Sequence, residues 1–207
     1  MYKAGIHYMV TNAKNRCIDM TLRHEEILKS VSSTPFTDLT DEMIRDNAVI
    51  ELGAASTPQE RLWKFDPKEY VCVEPTLRRK YPLPPNVRYA ERDDDYDYEG
   101  VTYLEEKVSD SSVVVVSSAL FDRQGILINE EYTKKLIDLI FKKTIPGQLS
   151  LHTITHGFER EFLDSGFEFV FGRGDKRWEG LTPEEVEAGY TNGTNRIIPM
   201  FFRKPAA

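Results

Sequence analysis

The chain has 207 residues, 40% hydrophobic and 11% aromatic, which suits one domain with a sizeable core, alone or with an extra arm. A net charge of −7 argues against a surface that coats nucleic acid broadly, though it leaves room for a local basic groove. No run of about 18 apolar residues exists to span a bilayer, MYKAGIHYMV lacks a signal-peptide centre, and Cys17 and Cys72 read as thiols of a soluble protein in a reducing, cytoplasmic compartment.

Residues 1–45 read as an N-terminal helical arm, with an amphipathic helix over 22–31 (LRHEEILKSV). His24 lies on that helix without a second histidine at metalloprotease spacing, so it reads as a surface residue. From residue 46 the pattern becomes α/β. A strand is expected over 48–52, then a helix over 58–64, its start marked by Thr57 as cap, Pro58 at the first turn and Glu60 three residues after the cap. YVCVE (70–74) is a second strand whose Cys72 reads as buried. A basic turn follows over 76–80, a brief strand over 87–90, and helical or irregular structure near 103–107. SVVVVS (112–117), β-branched along its centre, predicts a strand buried on both faces. Asn129 is placed to cap a helix over 130–143 with Leu136, Ile137, Leu139 and Ile140 on one side. A strand over 149–154, a short helix over 159–163 ended by Gly166, and strands over 167–171 and 196–202 complete the order.

Strands alternating with helices predict a mostly parallel sheet with helices on both faces. The last two strands lack a full crossover between them, so the final one is expected to run antiparallel. Ligands on such sheets bind beyond the carboxyl ends of the strands, at the switch in strand order. That places residues 51–56, Glu74 and Pro75, the 90–98 loop and residues 117–122 around one crevice.

The stretch VIELGAASTPQE (49–60) offers Gly53 alone where a dinucleotide fingerprint wants three glycines, and nothing in the chain matches a P-loop. A cofactor without phosphates fits better. Ala54, Ala55 and Ser56 are small enough for close backbone approach, and Glu51 supplies an acid where a phosphate would be repelled. Glu74 can accept two hydrogen bonds from a ribose diol. Asp93 and Asp94, within the acidic run Glu91–Asp95, can accept from an adenine amino group, although that run also reads as a solvated acidic loop. Ser117 and Ser118 close the set.

On these residues the segment over about 47–202 resembles a class I S-adenosylmethionine-dependent methyltransferase with a Rossmann-like sheet. ELGAAS resembles the D-L-G-A-A-P-G of RNA ribose 2′-O-methyltransferases, viral cap enzymes among them, and PGQLSLHTITHGFEREFL (146–163) is similar in layout to that group's fifth strand and following helix. The resemblance implies S-adenosylmethionine as cofactor, RNA as acceptor, a role in mRNA capping, and a location in host cytoplasm or virion. It also implies a Lys-Asp-Lys-Glu tetrad, which this chain does not reproduce. Where the fourth strand should end in Asp it reads Ser117-Ser118-Ala119-Leu120, with Asp122 late; the fifth-strand Lys gives way to Leu151, His152 and Thr153; and Lys14 or Lys29 could supply the first lysine.

Three readings stay open: an acceptor such as a base nitrogen that needs positioning more than deprotonation, a site using Asp122, His152 or His156 instead, or a non-catalytic methyltransferase-like subunit that binds RNA or a protein partner. A small-molecule acceptor is a further alternative. No metal site is expected, since His152 and His156 need not share a face. The insertion over 173–195 interleaves Arg173, Lys176, Arg177 and Trp178, a mixture able to stack on and neutralise a nucleotide, or equally to form a surface flap whose Trp178 covers core.

Overall fold

The computed structural model describes residues 34–53, 60–73, 82–90, 99–121, 130–155, 159–172 and 197–206. Within them lie helices α1 (Thr34–Ile44), α2 (Glu60–Trp63), α3 (Glu99–Lys107), α4 (Glu130–Lys143) and α5 (Glu159–Asp164), and strands β1 (Ala48–Leu52), β2 (Glu69–Val73), β3 (Val87–Tyr89), β4 (Val114–Phe121), β5 (Leu149–Thr155), β6 (Glu168–Gly172) and β7 (Ile197–Arg203).

The seven strands form one sheet in the order β3-β2-β1-β4-β5-β7-β6. Neighbours from β3 to β5 pair in parallel, while β7 is antiparallel to both β5 and β6. The late antiparallel strand expected from the missing crossover is therefore present, inserted between β5 and β6.

Side chains alternate across a strand, so each strand feeds two cores. Ile50, Leu52, Val71, Val73 and Val115 face one side, where α3, α4 and α5 cover them with Leu104, Leu136, Ile137, Ile140 and Phe162. Val49, Tyr70, Cys72, Val114, Val116 and Leu151 face the other, beneath Met43 and Ile44 of α1 and Leu62 of α2. Helices thus lie on both faces. On α4, Thr133, Leu136, Ile137 and Ile140 recur at helical spacing and are buried, and Lys142 and Lys143 in the last turn complement the helix dipole.

Several elements differ from the sequence expectation. α1 is a full helix inside the segment read as an arm, its Met43 and Ile44 wholly buried and its Glu42 paired with Arg203 of β7 at 2.9 Å. The 22–31 helix lies outside the described residues. β4 runs four residues past its expected end at 117, because pairing with β5 resumes at Phe121↔Ile154 after a register shift. At the end of α4 both Lys142 and Lys143 contact Asp110, and buried Lys143 also donates to the Val108 carbonyl at 2.6 Å. Those two ammonium groups hold the Asp110 carboxyl below its usual range.

Candidate functional site

The chain reverses its direction of strand addition between β1 and β4, the place where such sheets bind ligands. Their last paired residues are Leu52 and Ser117. Gly53 follows at once and leaves β1, while β4 continues beside β5 to Phe121 after a register shift. Gly53 has φ 72°, a left-handed conformation that favours glycine, and its amide donates to the Val73 carbonyl at 3.1 Å. The exit of β1 is thereby tied to the end of β2.

Glu51 sits two residues before that turn and is fully buried. It pairs across the sheet with Cys72 on one side and Val116 on the other. The Tyr70 hydroxyl donates to Glu51 Oε2 at 2.9 Å. Burial, together with the neighbouring Glu51 charge, raises the Tyr70 hydroxyl well above its ordinary range, so it stays a protonated donor. The same two causes push the Cys72 thiol up; it is buried and unoxidised, as its apolar run suggests. The Trp63 ring meets Tyr70 edge-on, with centroids 6.2 Å apart.

Ser117 and His152 occupy the other face. They are register partners on β4 and β5, and Ser117 Oγ lies 2.9 Å from His152 Nδ1. The imidazole is tilted against Phe162 at 4.5 Å between centroids, with Phe121 and Phe202 at 6.0 and 6.2 Å. Both Ser117 and His152 are fully buried, and His152 Nε2 has no hydrogen-bond partner among the described residues. Burial lowers the His152 pKa from 6.5 to about 3, so the ring is neutral at physiological pH. A general base works best with a pKa near the operating pH and within reach of its proton. His152 lacks the first property here, and it lies on the face of the sheet opposite Glu51. The side chain expected as a catalytic candidate is, in this fold, a core residue that clamps β5 to β4.

Of the other expected site residues, Asp122, His156, Ala54, Ala55, Ser56, Glu74, Pro75, Asp93 and Asp94 lie outside the described residues, as do Arg173, Lys176, Arg177 and Trp178. Ser118 is described as part of β4 only. Among the described residues no cluster of three His, Cys, Asp or Glu could hold a metal, and no helix is long and apolar enough to cross a membrane. Tyr70 was missed by sequence reasoning. The available signal was a phenol two residues before Cys72 on a strand expected to neighbour β1, and only the register reveals that it reaches Glu51.

No family model and no curated protein matches this chain. Solved structures do. An S-adenosylmethionine-dependent methyltransferase from Mesorhizobium loti aligns with 84% of this chain and 99% of its own at 9% identity and a TM-score of 0.54. A chain from the complex between the Haloferax volcanii Trm112 methyltransferase activator and its methyltransferase aligns over 96% and 97% at 13% identity and a TM-score of 0.60. The [4+2]-cyclase SpnF aligns over 84% and 82% at 12% identity and 0.53. At such identities the likeness concerns architecture, and a fold can carry several chemistries. Strand order, the antiparallel β7, helices on both faces and these alignments together show that the chain has the Rossmann-like fold of class I S-adenosylmethionine-dependent methyltransferases.

Proposed function

We propose that this protein binds S-adenosylmethionine in the crevice beyond β1, β2 and β4 and transfers its methyl group. The observation that carries this reading is the end of β1: a buried acid, then a left-handed glycine at the switch point of this particular sheet. Without the glycines of a dinucleotide loop, such an end suits an adenosyl group attached to a cationic sulfonium better than a pyrophosphate. Glu74 would take the ribose hydroxyls, Asp93 or Asp94 the adenine amino group, and Ala54, Ala55, Ser56, Pro75 and Ser118 the close backbone contacts.

Methyl transfer from a sulfonium is an in-line displacement, and the protein's first task is to orient the acceptor. The acceptor we infer is RNA, from the likeness of ELGAAS to the ribose 2′-O-methyltransferase loop and from Arg173, Lys176, Arg177 and Trp178 in the insertion. With Ser117-Ser118-Ala119-Leu120 and Leu151-His152-Thr153 where that group carries Asp and Lys, a base nitrogen that attacks without a tuned lysine fits better than a ribose hydroxyl. Asp122 and His156 are the remaining candidates for proton handling. A second reading, a non-catalytic methyltransferase-like subunit that binds RNA or a protein partner, is favoured by the burial of His152.

Calorimetric titration with S-adenosylhomocysteine tests the cofactor. Binding should also raise folding stability by about 2.7 kcal/mol at a ligand concentration about 100 times Kd; no binding at millimolar ligand overturns the reading. A labelled methyl donor offered with capped RNA, uncapped RNA and small-molecule acceptors then separates the rest. Label on RNA supports the RNA reading, label on a small molecule replaces it, and binding without transfer supports the non-catalytic subunit.

A further inference from the structure

A fully buried carboxylate is out of place in β1, whose other buried residues are Val49, Ile50 and Leu52. Taking an ionised acid out of water is costly unless hydrogen bonds compensate it. A tyrosine is equally out of place among Val71, Cys72 and Val73, since phenylalanine would fill the same space without a hydroxyl to satisfy. The two exceptions meet: Tyr70 Oη donates to Glu51 Oε2 at 2.9 Å, inside the core on the α1 side of the sheet. Departures from local rules that satisfy each other, beside the carboxyl end of a sheet at its switch point, are candidates for functional positions.

The placement is specific. Tyr70 pairs with Val49, so its ring must reach along the strand direction to Glu51, toward the carboxyl end of β1. Trp63 supports the ring edge-on, and the Gly53 amide ties the exit of β1 to Val73 of the same strand. The phenol and Gly53 are therefore anchored to one element, β2, which fixes the carboxylate relative to the exit of β1.

The geometry points to Tyr70 as a positioning residue of the crevice, holding the Glu51 carboxylate so that its negative charge serves the ammonium group at the amino-acid end of the bound cofactor. This rests on the S-adenosylmethionine reading above. The adenosine end, served by Glu74 and the acidic loop in that reading, should not depend on Tyr70.

Two ligands separate the ends. S-adenosylhomocysteine carries the ammonium group, whereas 5′-methylthioadenosine keeps the adenosine and lacks it. Tyr70→Phe should weaken S-adenosylhomocysteine about tenfold, the scale of one lost hydrogen bond to a charged group. It should change 5′-methylthioadenosine by less than about twofold, as for an end that does not touch the altered pair. In a Glu51→Gln background the same substitution should add nothing. Equal losses for both ligands, no loss for either, or a full tenfold loss in the Glu51→Gln background overturns the assignment. Should Tyr70→Phe alone not fold, the double variant, which buries no carboxylate, must bind S-adenosylhomocysteine as Glu51→Gln does; weaker binding overturns the assignment. Wild-type protein that binds neither ligand overturns the cofactor reading itself, a failure distinct from that of Tyr70.

Discussion

Glu51 and His152 show how much one residue's parity decides. Both were candidate site residues, both are wholly buried, and they stand on opposite faces of the sheet. Because side chains alternate along a strand, no proton can pass directly between them. The same burial makes His152 a measurable acid-stability element. Its folded pKa, about 3, lies below the ordinary 6.5, so the folded state refuses a proton that the unfolded chain accepts. Its contribution is complete above about 6.5 and is lost as the pH falls toward 3, at about 1.4 kcal/mol per pH unit. Urea unfolding at pH 7 and 4.5 should therefore show wild type losing about 2–3 kcal/mol more than His152→Phe. Coincident losses would mean that His152 is protonated in the folded protein.

Among the elements, α5 and its exit give the sharpest case. Gly166, expected from its position to end the helix, has φ 99°, with its amide bonded to the Leu163 carbonyl and the next amide, Phe167, bonded to Phe162. A Cβ at this position would lie 3.2 Å from Phe141 Cζ. Backbone conformation and space both oppose a side chain, so Gly166→Ala should lower stability by about 1–2 kcal/mol in denaturant titration. An unchanged midpoint would show that the turn re-forms with an ordinary φ. α1 is the opposite case, a helix the sequence reading passed over. Its signal was modest: a Thr-Pro start, then Leu39, Met43 and Ile44 at helical spacing among threonines and acids. Helices of this kind gain most of their stability from the surface they cover.

Across the whole molecule, the sheet divides the interior into two cores that share only its backbone. Met43 belongs to the core under α1 and α2, and Ile137 to the core under α3, α4 and α5. Truncating either to alanine should cost about 2–5 kcal/mol, and the two costs should add to within about 0.5 kcal/mol in the double variant. A large departure from additivity would show that the sheet transmits repacking from one face to the other. The two faces should nevertheless unfold in one transition, since every central strand contributes to both.

The sequence by itself determined the α/β class, the bounds of β1 and α4, the antiparallel end of the sheet and the exit of β1 at Gly53. Each of these follows from local chemistry: apolar period, β-branched runs, caps, and glycine's freedom at positive φ. Tertiary structure alone decided that Tyr70 reaches Glu51, that His152 points into phenylalanines and not toward solvent, and that β4 continues past Ser117. Those outcomes depend on strand register and on which face of the sheet a helix covers, and both are set by contacts between segments far apart in the chain.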